Sequence, residues 1–204
     1  MITHKTVHDL DLFPHSTVPP VVNKQTYRGP ALARSTVVTP RMAWESIYMV
    51  EVVRSCPEMC RFCLASYASL PFRAPPVGDA LIPAIEAGLA VTDRIGLLGA
   101  SVTQHPQFDE LLRFMMDPAR SHVRMSIASV RTNTVTQQLA SALAARGTRS
   151  LTVAVESGSE RMRRVVNKKL LQEEIEVCWC AIGASVCNST LAAVDNQCQC
   201  QCTE

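Results

Sequence analysis

The chain has 204 residues, a formal net charge of +2, and hydrophobic residues at 47% against 19% charged. That balance is too apolar for a disordered chain and too weakly charged to imply, by itself, a nucleic-acid or membrane surface. The amino terminus lacks the apolar run of a secretory signal and no stretch reaches the roughly 18 apolar residues of a membrane span, so a cytoplasmic or other reducing, soluble compartment is expected, in which nine cysteines are metal ligands or free thiols rather than disulfides.

Residues 1–43 hold Pro14, Pro19, Pro20, Pro30 and Pro40 with little periodicity and read as an extended lead-in. The core is expected from Trp44 to Lys169. Within it, Ile47 to Val53, Arg94 to Leu98, Met125 to Ala128 and Leu151 to Val155 are short apolar runs bounded by turn or charged residues, the signature of strands. Helical patterns lie between and after them: Asp79 to Val91, Phe108 to Met116, Val135 to Ala145 with Gly147 as its C′ residue, and Ser159 to Asn167. Arg161, Arg163, Arg164, Lys168 and Lys169 read as a solvated helix face, and Trp44, Met115, Met116 and Met125 as core filling.

Strand and helix in alternation favour a parallel sheet covered by helices, and such sheets bind ligands at the carboxyl ends of their strands. The chemically suggestive residues fall there. The cysteines follow the first strand, Gly99-Ala100-Ser101 the second, Ser129 to Arg131 the third, and Glu156-Ser157-Gly158-Ser159 the fourth. Cys56, Cys60 and Cys63 form a C-x3-C-x2-C array. Three thiolates on a tight loop can each take one iron of a cubane cluster and leave the fourth iron open to a ligand. Zinc would want a fourth Cys or His nearby, and the next histidine is His105; structural zinc or three buried thiols remain the alternative.

The segment from Glu51 to Ala65 resembles the signature loop of the radical S-adenosylmethionine (radical SAM) superfamily. The resemblance continues through Ile95 to Ser101, Ser126 to Arg131 and Val155 to Lys168, and reaches back to Val7–Pro14 and Val37–Pro40. It implies a partial (β/α) barrel of about four of six βα units, a 4Fe-4S cluster on Cys56, Cys60 and Cys63, and S-adenosylmethionine cleaved reductively to a 5′-deoxyadenosyl radical that abstracts hydrogen from an unknown substrate. By position, Phe62 matches an aromatic beside the adenine. Gly99, Ala100 and Ser101 match a turn that meets the methionine ammonium, although Ser101 lacks the family's carboxylate. Glu156 and Ser157 match a ribose or methionine contact, with helix capping as the alternative for Glu156. Ser129 and Arg131 are further candidates, Arg131 either gripping a carboxylate or lying solvated, and His105 either faces substrate or is an ordinary loop histidine.

The family implies an electron donor such as flavodoxin or ferredoxin. The subgroup it resembles is often fused to a cobalamin-binding domain, so cobalamin would come only through a separate domain or protein. Nucleic acid and membrane are not indicated. Beyond Lys169 no clear strand pattern resumes, and Cys178, Cys180, Cys187, Cys198, Cys200 and Cys202 crowd into residues 170–204. This divergent tail is expected to be poorly ordered, as if the gene product were truncated or misread, with an auxiliary cluster as its functional alternative. The fourth strand would then present an open edge, and the chain would be either a radical SAM enzyme or a non-catalytic iron–sulfur or zinc-binding fragment of one.

Overall fold

The computed structural model describes residues 4–6, 21–23, 25–27, 29, 31–128, 130–148, 150–185, 189–194 and 197–202. The chain divides into two compact units, Met1–Ala31 and Leu32–Glu204. In the first, β1 (His4–Thr6) pairs antiparallel with β2 (Val21–Asn23), Lys5 opposite Val22. The boundary thus falls before residue 43, where composition had put it. Residues 33–35 run antiparallel along the free edge of the first core strand, β3 (Tyr48–Glu51), through an Arg34–Val50 bridge and the bonds Ser35 N–H to Met49 O and Glu51 N–H to Ala33 O, both 2.9 Å. An edge strand has unpaired backbone groups, and this segment satisfies them.

The core sheet is parallel, in the order β3, β4 (Arg94–Leu98), β5 (Arg124–Ile127). Tyr48 lies opposite Ile95, and Ile95 opposite Met125. In the central strand Ile95, Gly96 and Leu97 are buried in succession, as expected of a parallel strand covered on both faces. All four strand expectations are met within a residue or two at either end.

Between β3 and β4 the chain makes a π-helical turn at Val77–Leu81 and then α2 (Ile82–Leu89), following the short α1 (Leu64–Ala68). Gly88 lets α2 close on β3, since a Cβ there would sit 2.4 Å from the Tyr48 ring. Helix α3 (Phe108–Met115) buries Leu111, Leu112 and Met115. Helix α4 (Gln137–Ala145) is capped by Thr136, whose hydroxyl accepts from the Leu139 N–H, and Gly147 beyond it is left-handed, φ 75°, as its C′ role requires. Trp44, expected inside, is 64% exposed, whereas Met115 and Met125 are buried.

The fourth strand, β6 (Ser150–Ala154), continues the sheet through a parallel bridge from Val130 to Val153. Its ladder is antiparallel with β8 (Gln197–Cys202), which pairs in turn with β7 (Ser189–Val194). The edge expected to lie open is therefore covered, and the expectation that no strand follows Lys169 is corrected. The strict Gln/Cys alternation of residues 197–202 has a strand's period of two. Residues 172–185 also depart from a poorly ordered tail. They form α6 (Gln172–Ser185), whose Ile175, Cys178, Ala181 and Ile182 are buried on one face and which packs on α4. Cys187 lies outside the described residues.

Candidate functional site

The cysteine loop leaves β3 at the carboxyl edge of the sheet. Val52 and Val53 are fully buried, and Val52 N–H donates to Leu98 O at 2.8 Å, which extends the parallel ladder by one bond. Arg54 then bridges Arg73, and the chain reverses through left-handed conformations at Ser55 (φ 71°) and Met59 (φ 54°). Non-glycine residues held there cost on the order of 1 kcal/mol each, so surrounding bonds must over-determine the loop. Ser55 Oγ donates to Ser66 O at 2.9 Å, Tyr67 Oη to Met59 O at 3.0 Å, and Cys63 N–H to Cys60 O at 3.0 Å.

Cys56, Cys60 and Cys63 are all free thiols; Cys60 is buried, the other two half-buried. Burial pushes the Cys60 thiol above its ordinary pKa; Lys168 and Arg131 pull it down, and Cys56 and Cys63 push it up further. The three sulfurs and two cations therefore share one electrostatic neighbourhood. Ser66 Oγ donates to Cys63 Sγ at 3.3 Å. Among the described residues, no three His, Cys, Asp or Glu side chains gather as ligands of a single ion. Three thiolates on one loop, with no fourth Cys or His beside them in sequence, are a donor set that a cubane cluster with one open iron can use.

The second-strand turn sits beside this loop. A Cβ on Gly99 (φ 155°) would lie 2.5 Å from Val53 Cγ2 and 2.8 Å from Val53 O, so only glycine allows the two strand ends to meet. Ala100 is exposed and Ser101 buried. Sequence reasoning missed Gln104, which joins the turn to the loop. Its Oε1 accepts from Ser101 Oγ and lies 4.0 Å from Cys56 Sγ, while its Nε2 donates to Glu58 Oε1 at 2.5 Å. Nothing in the spacing marks it, because the contact spans 46 residues.

At the fourth strand end, Glu156 is left-handed (φ 70°) and its carboxylate pairs with Lys168 Nζ at 3.0 Å. The cap of α5 (Glu160–Val165) is Ser159, whose Oγ accepts from Met162 N–H, so capping is not Glu156's role. Ser157 is half-buried and its Oγ accepts from Ser159 N–H at 3.1 Å.

The basic run is not one solvated face. Arg163 is fully buried and donates to Leu170 O at 2.9 Å, Ser157 O at 2.9 Å, Gly158 O at 3.1 Å and Gln172 Oε1 at 3.2 Å. Helical period explains the split, since Arg161 and Arg164 face water while Arg163 points inward. Arg131 is likewise not a solvated loop residue. Its guanidinium pairs with Glu58 at 3.4 Å and donates to Lys168 O and Lys169 O at 2.8 and 2.9 Å.

His105 lines a cavity of about 200 Å³ with Thr103 and Thr134, but both its ring nitrogens are already bonded. It is buried, Nδ1 accepts from Gln107 N–H at 3.0 Å, and Nε2, which then carries the proton, donates to Pro75 O at 2.7 Å. Phe62, within the loop between Cys60 and Cys63, is 53% exposed. Ser129 lies outside the described residues. In the tail, Cys178 is buried and Cys180 exposed, because residues two apart on a helix point to opposite sides; this pair does not converge on one metal.

A parallel α/β sheet that brings a three-cysteine loop, a glycine turn and a paired carboxylate to its carboxyl edge defines a half-barrel protein built around that edge. The chain belongs to the Radical SAM superfamily, whose family model matches residues 50–178. The match runs past Lys169 into α6, so the core extends beyond the boundary that composition suggested. The chain is also 32% identical, over 135 residues and 65% of its length, to an uncharacterized protein of Methanocaldococcus jannaschii. It spans 29% of that relative's length. Among the described residues no helix is long and apolar enough to cross a membrane.

Proposed function

We propose that Cys56, Cys60 and Cys63 each hold one iron of a 4Fe-4S cluster and that the chain binds S-adenosylmethionine at the fourth. The observation that carries this reading is the chain of bonds joining the cysteine loop to the Gly99–Ser101 turn through Gln104, which makes one continuous edge of the two. When bound, the cluster would supply the electron that breaks the sulfur–C5′ bond and yields a 5′-deoxyadenosyl radical for hydrogen abstraction.

The chain's own residues bind and orient. Gly99 and Ala100 offer backbone to the methionine ammonium at a turn that glycine lets pack directly on the start of the cysteine loop. Glu156, already paired with Lys168, supplies an acceptor for a ribose hydroxyl or an ammonium, and Ser157 stands beside it. Phe62, half in solvent, offers a ring face to the adenine. The cation pair Lys168 and Arg131 offsets the negative charge that three thiolates and the cluster would concentrate at Cys60. An external one-electron donor such as a flavodoxin or ferredoxin completes the reading. Cobalamin would enter only with a separate domain or protein.

Anaerobic reconstitution with iron and sulfide, then dithionite and S-adenosylmethionine, should release 5′-deoxyadenosine. Release no greater than from Cys60→Ala rejects the enzymatic reading. A second reading, an iron–sulfur unit without catalysis, predicts the cluster's charge-transfer absorption with no cleavage. Stoichiometric zinc and no iron in protein isolated without oxygen would reject both.

A further inference from the structure

The turn after α5 is bonded to the cysteine loop more than 100 residues away in sequence. Asn167 Nδ2 donates to Met59 O at 2.9 Å and Glu58 O at 3.2 Å, and Arg61 N–H donates to Val166 O at 2.9 Å. Arg61 also donates through Nη1 to Val165 O. Glu58 is held a third way, by Arg131 at 3.4 Å and Lys169 at 3.9 Å.

Helix termination does not explain the Asn167 side chain. The helix ends with Lys168 N–H on Arg163 O at 2.8 Å and Asn167 N–H on Arg164 O at 3.0 Å, with Asn167 left-handed at φ 58°. That is a complete Schellman closure, which glycine performs as well or better. The amide is free for another task, and it caps the carbonyls on either side of the left-handed Met59, between Cys56 and Cys60.

We infer that Asn167 is a positioning residue that, with Val166, clasps the cysteine loop and holds it in shape before any metal arrives. Its role toward a cluster rests on the reading of Cys56, Cys60 and Cys63 as ligands. The ordering of the metal-free loop does not, so the two can fail separately.

Asn167→Gly keeps the left-handed backbone and removes only the amide; Asn167→Asp keeps the shape and sets a carboxylate against two carbonyls. In the metal-free full chain, hydrogen exchange at the Arg61 and Cys63 amides should rise about tenfold in the glycine variant and more in the aspartate one. The Leu97 amide of β4 serves as reference and should not change. No acceleration at Arg61 and Cys63, or equal acceleration at Leu97, overturns the clasp. After reconstitution, the glycine variant should take up iron about fivefold more slowly, and its reduced cluster should give an altered electron paramagnetic resonance spectrum. Uptake and spectrum identical to wild type overturn the role toward the cluster. A wild-type chain that binds no iron rejects the proposed function and leaves the exchange result standing.

Discussion

The two walls of the site are built by different forces. On one, the strand ends that carry the cysteine loop and the Gly99 turn pack through Val50, Val52, Val53, Ile95 and Leu97, all at most 1% exposed, so the platform under the loop is set by apolar burial over a parallel sheet and hydrogen bonds shape only the loop above it. On the other, the Glu156–Ser157 loop is fixed by a buried guanidinium spending its donors on backbone carbonyls and by the Glu156–Lys168 pair. The platform of the first wall is non-directional and tolerates shape-conserving change; the second depends on bond geometry and fails when one partner is lost.

Ile95→Ala attacks the first wall and should cost about 3.5 kcal/mol, read as a lowered denaturation midpoint, because Ile95 is buried between both strand neighbours. Arg163→Met attacks the second and should cost about 3 kcal/mol, since the methionine fills volume but leaves the Leu170, Ser157 and Gly158 carbonyls without their donor. A loss below about 1 kcal/mol would show that the second wall is held by packing after all. Gly99→Ala tests the contact of the two strand ends within the first wall and should cost about 2 kcal/mol through the clash with Val53. Glu160→Gln removes an exposed pair with Arg164 that touches neither wall, and should shift stability by only about 0.3 kcal/mol.

The first wall was legible in the sequence. Strands β3 and β4 are apolar-rich runs bounded by polar or turn residues, and the cysteines and the glycine turn fall just past them. The second wall was not. Arg163 belongs to a basic run whose members look alike in sequence, and only helical phase against the packed chain decides that it turns inward while Arg161 and Arg164 do not. Gln104 and Asn167 are unremarkable polar residues whose partners lie 46 and more than 100 positions away. Helix α6 carried its own signal in the spacing of Ile175, Cys178 and Ile182, and the density of cysteines obscured it.

Local pattern alone determined which segments become strand and helix, which edge of the sheet collects the chemistry, and that three thiols share one loop, because hydrophobic period and short-range spacing act within a few residues. Only the tertiary structure decided that β6 pairs with β8, that a buried arginine holds the acidic loop, and that the end of α5 grips the cysteine loop. These are hydrogen bonds between distant segments, and their partners are selected by where the packed core brings the backbone rather than by any residue's own preference.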